Sequence, residues 1–465
     1  MSSKNNMLFK NNIRPSQERI TKPLQQKTNF YSSIKIFYYW SLIFGCAPYK
    51  FIIDTMADTI NIKRTIFSVI QSAIAILVVF VWMMYTIIKP IVLNTYESNT
   101  TLVVSQIITV CFSGSSCFLS LISSVTINIK KWGFIFEKVL YIDKIILREP
   151  QQSYKKTKLF ITLQILVTIV LLVSFHAYET LSKKNKMFYK IAMRIFVHVH
   201  NVTVTLQFIN LVLLLSNRLK IISERLEELS SMSKENTDLS HSFKNSIKLR
   251  EQRQTNASLF DTQRYSLMGT SAMQNSTNNP VLGHETSDIT LDNTNKLNIL
   301  TGLKQLREVH HIICDILNGV VNSIYGLNIL ILSTYMFLSC VKYVHLMMIM
   351  VVKKPGSESL DLLNINSPGM MLCFIVLHLS KVVLISVACN NASQVCANLN
   401  SSINSLLLTY PSGSDVSKEL QLLSIQTIHS KLEFTAFDFF PLDFTYFHMF
   451  LAGVTTYTVI LLQFA

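Results

Sequence analysis

Apolar residues in this chain gather into seven runs, covering Thr65–Ile88, Leu102–Ile127, Leu159–Tyr178, Ile191–Leu215, Val320–Val352, Gly369–Cys389 and Leu442–Phe464. About 20 such residues cross ~30 Å of hydrocarbon as a helix, which satisfies its own backbone groups where no water can. The pattern predicts an all-α polytopic membrane protein with seven transmembrane helices. Residues 1–64 are polar and basic, broken by an aromatic stretch at Ile34–Ile53. That stretch is too interrupted to span and is expected at the interface. Past Leu215 the helical period of the fourth span continues at Leu219, Ile222, Leu226 and Leu229 among charges, an amphipathic helix. From 233 to 295 Ser, Thr, Asn and Gln dominate, which predicts a disordered insert. The period returns at Leu297 and runs through Leu306, Val309, Ile312 and Ile316 into the fifth span. The sixth span likewise continues through Val395, Leu399 and Ile403, and Ser417–Leu432 makes a further amphipathic helix. Six parts are therefore expected: 1–64; 65–232 with spans one to four; 233–295; 296–391 with spans five and six; helices in 392–441; and the last span in 442–465.

Composition agrees. With 465 residues, 49% hydrophobic and only 15% charged, the chain is too apolar for an ordinary soluble protein. A net charge of +15 would suggest nucleic acid in a soluble protein, but in a membrane protein it marks cytoplasmic loops. The N-terminal segment and the second, fourth and sixth loops hold ten, eight, twelve and two Lys or Arg, the first, third and fifth one, four and two. The N-terminus is thus expected in the cytoplasm and the C-terminus outside, opposite to a G-protein-coupled receptor. DRY-like and NPxxY runs are also absent from the sequence. A transporter would show repeated halves with Gly- or Pro-broken spans, a pattern this chain does not carry. The eight cysteines show no CxxC pair and no metal spacing and are expected as buried thiols.

The last run has a second pattern inside it. At ~100° per residue, Thr445, His448, Ala452, Thr455, Thr456, Val459 and Gln463 fall on one stripe, with Phe447, Phe450, Val454, Tyr457 and Leu461 opposite. Lipid gives no reason to present hydroxyl, imidazole and amide groups, so the stripe faces protein or water. It is either a packing seam of small residues or a pore wall. The spacing of Thr456-Tyr457 and Gln463-Phe464 across five mostly apolar residues resembles the C-terminal signature of the insect gustatory receptors. Phe434–Asp443 resembles that family's lead-in to its last helix, with Asp438 where the family usually carries Gly. The resemblance implies a tastant-gated, non-selective cation channel in the plasma membrane of a sensory neuron, a homo- or heterotetramer with one last helix per subunit lining the pore. Ala452, Thr455, Thr456 and Val459 would line it, with Gln463 and Phe464 at its narrow outer end. The helices of 392–441 would help hold four subunits together. An odorant receptor of the same superfamily carries a different C-terminal motif.

Gly-rich phosphate loops, HExxH and G-x-S-x-G are absent, so neither an enzyme nor a cofactor is expected. His198 and His200 fall on different helix faces and do not make a metal pair. Polar and ionisable residues inside spans are the remaining candidates. Trp82, Tyr85, His176, Tyr178, Arg194, His198, Asn201, Tyr335 and His378 fall in the outer halves and together suit a small polar ligand held by aromatics. Taken singly, each is as well explained by packing or interfacial anchoring. The resemblance places a tastant pocket in this half, with a sugar favoured by the His, Tyr and Asn content and bitter compounds next.

Overall fold

The computed structural model describes residues 16–47, 49–54, 59–92, 96–126, 128–182, 188–265, 285–352 and 368–463. Helix α1 covers Ser16–Ile43; strands β1 and β2 cover Tyr49–Asp54 and Thr59–Arg64. Helices α2 (Ile66–Val92), α3 (Tyr96–Thr126), α4 (Asn128–Ile146), α5 (Pro150–Ser182) and α6 (Phe188–Tyr265) follow. Helix α7 (Glu285–Asp315) passes through one π-helical segment, Ile316–Val321, into α8 (Asn322–Val352). Helices α9 (Pro368–Leu407), α10 (Asp415–His429) and α11 (Phe444–Gln463) complete the chain. Seven stretches are long and apolar enough to cross a membrane, and each overlaps one of the seven runs read from the pattern. The chain separates into two compact units: Met1–Arg218 with Ile312–Val395 and Leu432–Ala465, and Leu219–His311 with Cys396–Lys431.

In the first unit, the stretch of α6 from Ala192 is the most enclosed of the spans, with 83% of its apolar window buried. Several of its buried polar groups are tied to neighbours. Asn201 Nδ2 donates to the Ser113 carbonyl of α3 (3.4 Å), and Thr203 Oγ1 accepts from Trp40 Nε1 of α1 (2.9 Å). At the end of this stretch Arg218 donates to Asp143 through Nε (2.7 Å) and Nη2 (3.1 Å), and Tyr154 Oη donates to the same carboxylate (2.8 Å). Burial pushes the Asp143 carboxyl up, against the pull of the Arg218 guanidinium and the Tyr154 hydroxyl.

Two elements differ from expectation. Helix α4 lies where a basic loop was read, and its apolar period at Trp132, Ile135, Phe136, Val139 and Ile142 is buried. N-terminal aromatics pack against that face. Phe30 meets Phe136 and Tyr154 edge-on, at 6.0 and 5.8 Å between ring centres, and Phe51 meets Phe136 at 5.0 Å. The antiparallel hairpin β1–β2, with Tyr49 opposite Arg64 and Phe51 opposite Ile62, is the one β element among the described residues. The turn before it needs Gly45, at φ +75°, where an added Cβ would stand 2.7 Å from Leu121 Cδ2.

The second unit is built from amphipathic helix. Leu219, Ile222, Leu226, Leu303, Leu306, Val309, Leu399, Ile403, Leu420 and Leu423 are buried, and Arg307 pairs with Glu419 across it. Gln426 Nε2 lies 2.9 Å from His310 Nδ1 and donates to the Arg307 carbonyl (3.1 Å). Leu422, Ile425 and Ile428 of α10 remain about half exposed, at 49%, 54% and 50%. In the region read as a disordered insert, α6 continues as helix to Tyr265 and α7 opens at Glu285, while 266–284 lie outside the described residues. Lys, Glu, Gln and Arg in this polar text are good helix formers without an apolar face to pack.

Candidate functional site

Helix α11 starts from a side-chain cap: Asp443 Oδ1 accepts from the Thr445 N–H (2.8 Å). One of its faces is covered. Tyr446, Phe450, Val454 and Thr458 are buried, and α8 supplies the cover. Tyr446 Oη donates to Ser333 Oγ (3.0 Å), and Phe337 meets Phe450 and Tyr457 edge-on, at 5.9 and 5.7 Å. Gly453 permits that approach, since an added Cβ would stand 2.9 Å from Phe337 Cε2. The other face carries the stripe. Thr445, His448, Ala452, Thr455, Thr456, Val459 and Gln463 are all exposed in the single chain. Thr455 and Thr456 turn their hydroxyls back to the carbonyls of Leu451 and Ala452 (2.9 Å each), which leaves a row of small, half-satisfied polar groups. Phe464 lies outside the described residues.

The loop entering α11 is a tight turn. Phe437 and Asp438 have φ of 51° and 61°, the left-handed region that Gly adopts freely and Asp tolerates. Thr435 Oγ1 donates to Asp438 Oδ1 (2.9 Å), and Ala436 N–H donates to the Phe440 carbonyl (3.0 Å). The turn is fastened to the π-helical segment: the Glu433 N–H donates to Asn318 Oδ1 (3.3 Å), and Asn322 Nδ2 donates to Thr435 Oγ1 (3.3 Å).

Three of the nine candidate ligand residues come together between α6, α8 and α9. His198, Tyr335 and His378 are all buried, with His378 at ring-centre distances of 6.1 Å from His198 and 5.2 Å from Tyr335. Phe374 lies 6.4 Å from His378 and stacks on Tyr343 at 4.6 Å. Neither ring nitrogen of His378 has a hydrogen-bond partner among the described residues. One turn further along α9, Lys381 is buried at 6% exposure and its Nζ likewise has no partner. Lys381 is the residue that pattern reasoning passed over; its i+3 spacing from His378 inside an apolar run is the signal that marks it.

Trp82, Tyr85 and Asn201 are not in this box. Trp82 packs on the cluster of Val79, Cys117, Leu121 and Val197. Tyr85 is exposed beside Lys89, whose Nζ lies 6.0 Å from its ring centre. Asn201 is engaged with Ser113, whereas Arg194, half-buried one turn before His198 on α6, borders the box, its charge acting on Tyr335. His176 and Tyr178 sit on α5, with side chains outside the described residues. His200 lies on a different face of α6 from His198, donating from Nδ1 to the Phe44 carbonyl (3.0 Å) and lying 3.6 Å from Cys46 Sγ. Cys373 is exposed, unlike the buried thiol expected there.

Residues 34–465 match the family model described as 7tm chemosensory receptor. The chain is similar to Drosophila melanogaster proteins named gustatory receptor 28b and gustatory receptor 2a. The first is 27% identical over 162 residues, covering 35% of this chain and 34% of that protein. The second is 27% identical over 163 residues, covering 31% and 37%. These matches thus span about a third of the relatives' length. The fold is similar to that of the insect olfactory receptor OR5 from Machilis hrabei, solved in complex with eugenol. The superposition has a TM-score of 0.59 at 14% identity and covers 93% of this chain and 98% of the other.

Proposed function

The chain belongs to the 7tm chemosensory receptor family, a family of receptors and not of enzymes, and on that premise we propose that it is a gustatory receptor working as a tastant-gated cation channel. The observation that carries the proposal is the uncovered stripe of α11. A bilayer-spanning helix that leaves seven small or polar residues open in the single chain requires water or other subunits against them. Four copies around one axis supply both, with Ala452, Thr455, Thr456 and Val459 along a conduit and Gln463 and Phe464 at its end. The exposed Leu422, Ile425 and Ile428 of α10 suit contact between copies of the second unit, whether the same chain or a related receptor. The basic N-terminal segment sets the N-terminus in the cytoplasm and the C-terminus outside, in the plasma membrane of a sensory neuron. The ligand is a small polar molecule held at His198, Tyr335 and His378, with a sugar as the class that such side chains suggest and bitter compounds as the runner-up. Binding biases an open over a closed arrangement of α11 by no more than the ligand's differential affinity for the two.

The test is permeation. Gln463→Glu places one carboxylate per subunit at a narrow mouth and shifts the reversal potential toward divalent cations. Unchanged divalent permeability at normal surface density makes α11 a packing element and moves the pore elsewhere.

A further inference from the structure

Lys381 is the most demanding group in the molecule. It stands about 20 Å along α9 from Pro368, at ~1.5 Å per residue, within an apolar stretch. At 6% exposure its side chain does not reach solvent by snorkelling, and no described group accepts a hydrogen bond from its Nζ. An ammonium removed from water without a counter-ion is strongly unfavourable, and such residues inside spans pair with a charge or with a ligand. Among the described residues its ionisable neighbours are His378 and the Cys340 thiol, and a thiol is not an acidic counter-ion at neutral pH. One turn back, His378 is fully buried with both ring nitrogens open, and Phe374, Tyr335 and Tyr343 supply flat apolar walls. A neutral sugar would meet the aromatic walls and the imidazole but leave the ammonium without a charge partner.

We propose that this box binds a small organic acid, with the ligand's carboxylate on Lys381 Nζ, a hydrogen bond to His378, and the ligand's body on Phe374 and Tyr335. The inference rests on the pocket reading above and narrows the ligand from a small polar molecule to an acid, in place of the neutral sugar that the aromatic and imidazole side chains alone suggest. A charge-assisted contact in a dry site contributes about 1.5–3 kcal/mol, roughly tenfold to a hundredfold in affinity.

The test uses the full-length channel with matched pairs: benzoate against benzamide, and gluconate against glucose, with inorganic phosphate as a simple anion. Ligand-evoked current and thermal stabilisation of the detergent-extracted protein are both read. Acids are expected to stabilise and open the wild type at concentrations at least about tenfold below their neutral counterparts. Lys381→Met removes that preference, whereas Lys381→Arg keeps it in part. Without ligand, Lys381→Met melts no lower than wild type, because it relieves an unpaired buried charge; this keeps a folding defect distinguishable from lost recognition. An acid preference that persists in Lys381→Met overturns the proposal, as does a wild type that no acid of the panel stabilises. Stabilisation by inorganic phosphate equal to that by the organic acids also overturns it, since the apolar walls would then play no part. If glucose or benzamide acts and His378→Ala or Tyr335→Ala abolishes the response, the pocket stands and only its acid specificity falls. Responses indifferent to all of these substitutions remove the pocket itself.

Discussion

Helices α5 and α11 are alike in how much of them the protein covers and unlike in what they leave bare. Only 17% of the apolar stretch of α5 and 22% of α11 is buried, so each turns most of its circumference outward. On α5 the outward residues are Leu159, Phe160, Leu163, Leu166, Val167, Val170 and Val173, and the inward ones Tyr154, Ile161, Ile165 and Leu172. Both faces are apolar, as a helix between protein and lipid requires. On α11 the inward face carries Tyr446, Phe450 and Val454, and the outward surface is divided: Phe444, Met449, Tyr457 and Ile460 are bare on one part of it, and threonine, alanine, histidine and glutamine on the stripe beside them. Exposure alone therefore does not separate a lipid surface from a surface awaiting water or another subunit. The chemistry of what is exposed does.

The largest effect to be expected comes from placing the same charge on both. Val167 and Val459 are the same residue at nearly the same exposure, 49% and 52%. An aspartate at a lipid-facing position near a helix centre costs about 2.5–3.5 kcal/mol of insertion free energy. Val167→Asp is expected to remove most of the protein from the cell surface. Val459→Asp is expected to leave surface density within about twofold, because a water-filled or subunit-lined environment solvates the carboxylate far better than lipid. Surface biotinylation of the pair decides it, and equal loss from both positions would erase the distinction between the two helices.

A smaller effect separates their inner faces. Gly453→Ala drives a methyl to 2.9 Å from the Phe337 ring, and overpacking of this kind costs about 1–3 kcal/mol. Leu166→Ala on the lipid face of α5 removes a side chain that packs on little protein, so its cost is expected to stay within about 0.5 kcal/mol. Thermal midpoints of the extracted proteins give the comparison. A shift for Leu166→Ala as large as that for Gly453→Ala would show α5 to be more tightly seated than its exposure indicates.

The seven spans and the bare polar stripe of α11 were legible because both are periodic, whereas its covered face was read only in part: Phe450 and Val454 are buried as expected, but Tyr457 is 55% exposed and Tyr446 and Thr458 complete that face. Helix α4 was not legible, because Lys130, Lys131, Lys138 and Lys144, exposed or half-buried between its buried residues, mimic a cytoplasmic loop. With α4 unread, the partner of the N-terminal aromatics was unread too, since Phe30 and Phe51 both meet Phe136. The polar box was half legible. His198, Tyr335 and His378 stand out in apolar runs, but which of nine such residues share a space depends on helix rotation, which no single helix records. Trp82, Tyr85 and Asn201 carry similar chemistry and turn elsewhere. Lys381 was visible as a charge within a span, three residues from His378, but which residues of the other helices share its space was not.

The finest distinction lies in how α11 is entered. No residue leading into α5 has a positive φ among the described residues, whereas α11 follows Phe437 and Asp438, both left-handed. A left-handed conformation costs an ordinary residue about 1–2 kcal/mol, less for Asp and nothing for Gly. Asp438 offsets part of that by accepting from Thr435 Oγ1 at an exposed position, a contact contributing about 0.5 kcal/mol. Asp438→Gly exchanges the strain for that bond and for greater freedom in the unfolded chain, so stability is expected to stay within about 0.5 kcal/mol of wild type. Asp438→Ala keeps the strain and loses the bond, and is expected to fall about 1 kcal/mol below the Gly variant. The order of the two midpoints is the measurement. Alanine at or above glycine would mean that the turn relaxes out of the left-handed region, freeing α11 to rotate its polar stripe, and the fixed presentation of that face would no longer follow from its entry loop.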